Sequence, residues 1–368
     1  MPAERTVRLA GGRLALFVEE SDWPLDRLCG FASRRNPRRG FLIVSKVLGR
    51  HVPARPSQMR RSLRDLASKV PDLPGPVLVL GLAETAVGLG HGLFEELHRL
   101  GLRGGFLHST RQRIDAPLLG RFEEPHSHAS AHLLYRPADI DLAAVRSLVV
   151  VDDEISTGTT LVNLARALAP ALPRCGAVVA AALTDWSGSD GWLQRMPWPA
   201  RCVSLLSGRL DWTPDCAPAG DGAFEAAAGA LGALPAPGPF GRLGLADPRA
   251  FDLPDAGALE LPPGRALRIV GTGEFTHPPF LLAERLEAAG RDVVVQATTR
   301  SPVRPGGAID HALAFADNYG SGTGNFLYNA DPAEGRLALI CHETPPGTVD
   351  PALVAALGAR TLYWGGKG

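Results

Sequence analysis

The side chains able to act on a small molecule are gathered in Asp152-Asp153-Glu154-Ile155-Ser156-Thr157-Gly158-Thr159-Thr160. A loop of small hydroxyl residues and glycine lets several backbone N–H groups converge on one phosphate. The hydroxyls add donors, and a helix that follows adds its partial positive charge. Two carboxylates beside such a loop would repel the ligand unless they face its hydroxyls, or a Mg2+ that holds further phosphates. The pattern describes a sugar between two anionic ends. The elements that must hold it lie on either side. Leu148 to Val151 read as a buried parallel strand, because only a strand covered on both faces favours an unbroken apolar, β-branched run. Leu161, Leu164 and Leu168 share one face of a helix. Asp152 and Asp153 then stand at the strand's carboxyl end. A solvated acidic corner on an ordinary strand–turn–helix is the plainer alternative.

With strand, acids and loop in this order, Val149 to Thr160 resembles the phosphoribosyl-pyrophosphate (PRPP) motif of type I phosphoribosyltransferases. The resemblance implies an α/β fold with a type I phosphoribosyltransferase-like parallel sheet and flanking helices. It also implies transfer from Mg2+–PRPP to a small-molecule acceptor with release of pyrophosphate. By the same resemblance Asp152 and Asp153 contact the ribose hydroxyls and are available to a Mg2+ held mainly through PRPP. Ser156, Thr157, Gly158, Thr159 and Thr160 hold the 5′-phosphate. Glu154 departs from the apolar spacer usual after the acids. It reads as a base, a water-mediated Mg2+ ligand or a surface carboxylate, the last preferred. A PRPP-sensing regulatory module without transferase activity is compatible with the same motif.

Pro76 to Gly90 repeats the plan. A buried strand ends at Gly81, a turn carries Glu84 and Thr85, and a helix from about Ala86 to Leu100 spaces Leu89, Leu93, Leu97 and Leu100 for burial. The resemblance assigns pyrophosphate to the loop from Gly81 to Ala86, with Gly81, Ala83, Glu84 and Thr85 as its contacts. Gly88, Gly90 and Gly92 weaken the helix, for close backbone approach or for plain packing. Phe106 to Ser109 form the next strand. The long segment from Thr110 to about Ala144 reads as a lid, since exclusion of water protects an oxocarbenium-like centre. Arg111, as a catalytic contact, and Arg113 would meet pyrophosphate there. His126, His128 and His132 would act as donors or proton carriers, with a zinc site as rival. Trp186, after the strand from Ala177 to Leu183, sits where open α/β sheets bind ligands. It either stacks on a planar acceptor or packs in the core. Arg34, Arg35, Arg38 and Arg39 around Asn36-Pro37 form a basic loop, which either attracts phosphate or carboxylate or faces water.

From about Ala233 to Gly264 proline and glycine recur too often for regular structure. The expected division is a phosphoribosyltransferase-like domain over 1–232, a linker over 233–263 and a second, smaller α/β domain over 264–368. In the last, Ala266 to Val270, Pro279 to Ala289 and Asp292 to Ala297 read as strand, helix and strand, one right-handed parallel unit. Its two turns emerge at one sheet edge, so Glu274 and Arg300 are expected to share a pocket that Asp317 to Asn325 could line. Thr299-Arg300-Ser301-Pro302 in this setting resembles the TRSP domain, found carboxyl-terminal to a phosphoribosyltransferase-like domain in bacterial proteins of tellurite-resistance-type stress operons. That resemblance implies a nucleotide-like metabolite as product. It places Glu274, Thr299, Arg300, Ser301 and Asp317 in a second-domain site of unspecified chemistry.

At 368 residues the chain is long enough for two sizeable cores. The 38 Lys and Arg balance 38 Asp and Glu, which removes any general case for a nucleic-acid partner. The balance is local rather than uniform: positions 1–70 hold 15 Lys and Arg against 6 Asp and Glu. Five cysteines, odd in number and without metal-ligand spacing, read as reduced thiols. No apolar run is long enough for a bilayer and none resembles a signal peptide, so the expectation is a cytoplasmic protein without a membrane partner. A homodimer is compatible with all of this.

Overall fold

The computed structural model describes residues 3–34, 39–123, 131–215, 232–233, 240–248 and 251–365. The first part opens with an antiparallel pair, β1 (Ala3–Leu9) and β2 (Gly12–Ser21), joined at the expected Gly11-Gly12 turn. The short helix α1 (Leu25–Leu28) leads into a hairpin of β3 (Cys29–Ser33) and β4 (Phe41–Ser45), and then α2 (Pro56–Ala67). Next come β5 (Val77–Gly81), α3 (Ala86–Arg99) and β6 (Gly104–His108). A short β7 (Gln112–Arg113) precedes the antiparallel hairpin β8 (Leu118–Glu123) and β9 (Ala131–Tyr135). Then follow β10 (Ser147–Ile155), α4 (Thr159–Leu168), β11 (Ala177–Asp185) and β12 (Ala200–Pro214), with β13 (Gly232–Ala233) beside β7. The main sheet has the order β1-β2-β12-β11-β10-β5-β6. The five strands from β12 to the edge strand β6 are parallel, and β2 joins β12 antiparallel.

The apolar runs behave as a two-sided sheet requires. Leu78 to Leu80, Leu148 to Val151 and Val178 to Ala182 are all buried, covered by the leucine faces of the helices. Gly90 explains how tightly α3 can lie. A Cβ there would fall 2.9 Å from the Gly81 Cα and 2.9 Å from the Phe106 ring, so the glycine permits helix and strand backbones to touch.

Two stretches carry structure that the sequence did not show. The segment expected to be a lid contains the β8–β9 hairpin, because Phe122, Leu133, Leu134 and Tyr135 give it a buried face. The stretch from 233 to 263 contributes buried side chains, Arg242 and Leu245, and Leu245 exchanges backbone hydrogen bonds with Phe106.

The second part adds β14 (Leu267–Gly271), α5 (His277–Ala288), β15 (Val293–Ala297), an antiparallel hairpin of β16 (Ala312–Ala316) and β17 (Gly324–Tyr328), then β18 (Leu337–His342), α6 (Pro351–Leu357) and β19 (Arg360–Tyr363). Its sheet, β15-β14-β18-β19, is parallel throughout. The two parts share core. Ala32, Leu42 and Val44 pack in one cluster with Val303, Ile309, Phe326 and Tyr328, and Ala54 pairs with Val295 at the β15 edge.

Candidate active site

Strand register assembles the site. Val151 of β10 lies beside Gly81, the last residue of β5, while β10 runs on against β11 to Ile155 opposite Asp185. Asp152 and Asp153 therefore belong to the strand rather than following it, because one neighbour continues where the other stops. The side from which β5 has departed is filled by the loop after Gly81. Its Leu82 N–H donates to the Val151 carbonyl at 3.1 Å, and its Ala83 N–H donates to Ser109 Oγ at 2.9 Å. The Ala83–Glu84 peptide is cis. Thr85 Oγ1 donates to Asp153 Oδ1 at 2.7 Å, joining the loop to the acidic pair, and the Asp153 N–H donates to Asp152 Oδ1 at 2.9 Å.

The hydroxyl loop lies at the carboxyl end of the same strand. Gly158 has φ +66°, a left-handed conformation that favours glycine, and a Cβ would collide with the Trp192 indole. As the N-cap of α4 it leaves the helix without a side-chain cap. The nearest substitute is a long 3.4 Å contact from the Thr159 N–H to Thr157 Oγ1. Arg195 holds the Thr157 carbonyl from behind at 2.9 Å. An uncapped helix start beside half-buried Ser156, Thr159 and Thr160 has the donors and the dipole that a phosphate requires.

Several expected contacts lie elsewhere. Glu154 is not a surface carboxylate: it is ion-paired with Arg39 and its side chain is only 10% exposed. The basic loop thus reaches the acidic strand through Arg39, while Arg35 and Arg38 lie outside the described residues. Arg111 does not reach out from a lid. It is buried, with its backbone N–H on Glu274 and Nη2 3.2 Å from His132 Nε2. His132 is buried too, its Nδ1 2.9 Å from Ser109 Oγ. Arg113 is exposed on β7. Trp186 is a core residue, its backbone N–H bonded to the Ile155 carbonyl at 2.8 Å. His126 and His128 lie outside the described residues.

Residues 28–209 match the family model described as phosphoribosyl transferase, and residues 256–357 match that of the TRSP domain, described as carboxyl-terminal to the same family. The chain belongs to the phosphoribosyl transferase family. This is a family of pentosyl-transferring enzymes. Among solved structures, the chain is similar to adenine phosphoribosyltransferase from Trypanosoma brucei in complex with AMP, pyrophosphate and ribose-5-phosphate. The identity is 14%, covering 51% of this chain and 82% of that one, with a TM-score of 0.34. The corresponding enzyme from Thermoanaerobacter pseudethanolicus is 17% identical, covering 41% of this chain and 81% of that one, at 0.30. A hypoxanthine-guanine phosphoribosyltransferase from Bacillus anthracis is 15% identical, covering 40% and 77%, at 0.24. No curated relative matches the chain.

The TRSP loops after β14 and β15 meet the loop that follows β5. Arg50, which sequence reasoning missed, is buried between them. It donates to the Gly273 carbonyl at 2.7 Å, the Thr298 carbonyl at 2.6 Å, the Glu84 carbonyl at 2.7 Å and Glu84 Oε1 at 3.1 Å. Burial lowers its pKa from the ordinary value, against the charges of Glu84, Asp153 and Glu274.

Glu274 is engaged with residues of the first part and of the 240–248 stretch. Its carboxylate accepts from Thr110, from the Arg111 N–H and from Arg242 at 3.0 Å. Burial alone would raise that carboxyl, but Arg242 and His108, with the two other donors, outweigh it and hold it at about 2. Arg242 also makes a two-pronged contact with Glu343, 2.7 Å on each arm, and Tyr319 donates to Glu343 at 2.9 Å. Thr299 is buried and Ser301 half-buried, its N–H on Thr299 Oγ1. Arg300 lies 3.6 Å from Asp317. Nothing in the local sequence marked Arg50 or Arg242, since each acts through partners far along the chain.

Proposed function

We propose that the protein transfers a phosphoribosyl group from PRPP to a small-molecule acceptor. The observation that carries this is the Thr85–Asp153 hydrogen bond, which joins a loop suited to pyrophosphate to the acids that lead into a loop suited to phosphate. A sugar spanning those loops would present its hydroxyls to Asp152 and Asp153. As the bond from the anomeric carbon to the pyrophosphate oxygen breaks, the two carboxylates stabilise the positive charge developing on the ring. The bond to the acceptor's nucleophilic atom forms, and the acceptor's proton leaves to solvent or to a base. Pyrophosphate departs with the electron pair, stabilised by the backbone of the Gly81 to Ala86 loop. Preorganised contacts of this kind act where charge develops.

Among the described residues no group of three or more His, Cys, Asp and Glu is placed to hold a metal ion. A Mg2+ that keeps its waters and binds through substrate phosphates and one or two carboxylates needs no such cage, so the Asp152–Asp153 pair fits it. When bound it would supply positive charge to the departing pyrophosphate. The four described cysteines are free, and among the described residues no helix is long and apolar enough to cross a membrane. The thiols support a reducing, cytoplasmic setting.

The test is incubation of the full chain with Mg2+, isotopically labelled PRPP and a metabolite extract. Pyrophosphate release above slow hydrolysis, together with a labelled ribosylated product, is the expected result. Binding of PRPP without release would replace the transferase reading with that of a sensor. No binding heat at all would remove both.

A further inference from the structure

We infer that the TRSP domain completes the transferase pocket, with Arg300 a direct contact for the diphosphate end of the sugar donor. This rests on the PRPP reading above. The loops after β14 and β15 meet the loop after β5, and Arg50 pins all three by its bonds to Gly273, Thr298 and Glu84. Two residues beyond Thr298, the Arg300 N–H lies 3.4 Å from Glu84 Oε2. The Glu84 carboxylate is thus bracketed by Arg50 on one oxygen and the Arg300 backbone on the other. Its charge is countered within the protein, so an anion on the loop does not face it unscreened.

The Arg300 side chain has the opposite character. It is only 11% exposed, and its buried Nη2 has no hydrogen-bond partner among the described residues. Asp317, at 3.6 Å, is within reach of charge but beyond hydrogen-bond distance, and its oxygens already accept from the N–H and hydroxyl of Ser321. A buried guanidinium donor held without an acceptor is costly to the folded chain, and its planar fork matches the paired oxygens of a phosphate. The other cations expected for pyrophosphate are placed differently: Arg111 is buried against Glu274 and His132, and Arg113 is exposed on β7. Arg50 is fully engaged. Arg300, whose backbone meets this loop, is a cation that retains a donor to give.

Calorimetry on the full chain with Mg2+ tests this, using inorganic pyrophosphate, ribose 5-phosphate and PRPP as separate probes. Arg300→Gln should weaken pyrophosphate and PRPP by about ten- to a hundredfold, the loss of one charged hydrogen bond, and leave ribose 5-phosphate unchanged. Arg300→Lys should recover part of the loss. Unchanged pyrophosphate binding in Arg300→Gln overturns the inference, as does equal weakening of pyrophosphate and ribose 5-phosphate, which would mark a disturbed loop. If the unsubstituted protein binds ribose 5-phosphate and PRPP but not pyrophosphate, the inference fails while the donor reading stands. If it binds none of the three, the donor reading itself has failed.

Discussion

Asp153 is the side chain at which two loops, distant in the chain, are tied. Its Oδ1 accepts from Thr85, and its backbone N–H closes on Asp152. Asp153→Asn keeps an oxygen for Thr85 but removes the negative charge that faces the developing cation. Pyrophosphate release should fall by about 10²- to 10³-fold with little change in melting temperature. Steady-state kinetics beside a thermal melt measures both. An unchanged rate would show that the charge plays no part in the chemical step.

At the scale of elements, the position of the Gly81 loop depends on how closely α3 approaches β5. The three glycines of α3 are not equivalent. A Cβ at Gly92 would strike the Leu63 side chain, which can turn aside, whereas one at Gly90 would strike the Gly81 backbone at 2.9 Å. Gly90→Ala should therefore destabilise the fold by roughly 1–3 kcal/mol despite alanine's better helix propensity. Gly92→Ala should cost less. Urea denaturation of the two variants gives the comparison, and equal stabilities would mean that the helix shifts freely. The helix was legible in the leucine spacing, and so was the turn that precedes it. The β8–β9 hairpin was missed because its apolar residues are separated in the sequence by a histidine-rich stretch that dominates the local composition.

In the whole molecule the two parts are joined by buried charge and buried imidazole. Arg242 faces Glu274 and Glu343, all three side chains nearly inaccessible. Arg242→Met would leave two carboxylates buried without their cation and should cost about 3–5 kcal/mol, read from the denaturant midpoint. Close by, His91 stacks on His277 with centroids 4.6 Å apart, and both His91 and His108 lie 3.0 Å from the Phe240 carbonyl. Burial, reinforced by Arg242, lowers His108 to about 4. Burial with Arg60 lowers His277 to about 3, burial with Arg34 and Arg50 lowers His51 to about 3, and burial with its two histidine neighbours lowers His91 well below the ordinary value.

Each of these rings is neutral when folded and takes up a proton in the unfolded chain once the pH falls below 6.5, the ordinary histidine value. Their contribution is complete above that pH and is lost as the pH drops toward 4 and 3, by about 1.4 kcal/mol per unit for each ring. Glu95, raised by burial and 3.6 Å from His277 Nε2, works in the other direction and offsets part of the loss. The melting temperature should fall steeply between pH 6.5 and 5; a flat profile there would mean that the rings are hydrated.

What the sequence determined by itself is local. Strand, acids, hydroxyl loop and helix from Leu148 to Leu168 follow from apolar runs, glycine and helix-face spacing, forces that act within a few residues. The TRSP strands and their common edge were legible for the same reason. Only the tertiary structure decided which charges meet. Arg39 reaches Glu154 across 115 positions, Arg50 reaches Gly273 across 223, and Arg242, in a stretch rich in proline and glycine, becomes the cation between two distant carboxylates. A buried charge is tolerated only beside its partner. Those partners are brought together where α2 and α3 of the first part meet α5 of the second, and a linear pattern does not encode that meeting in any one stretch.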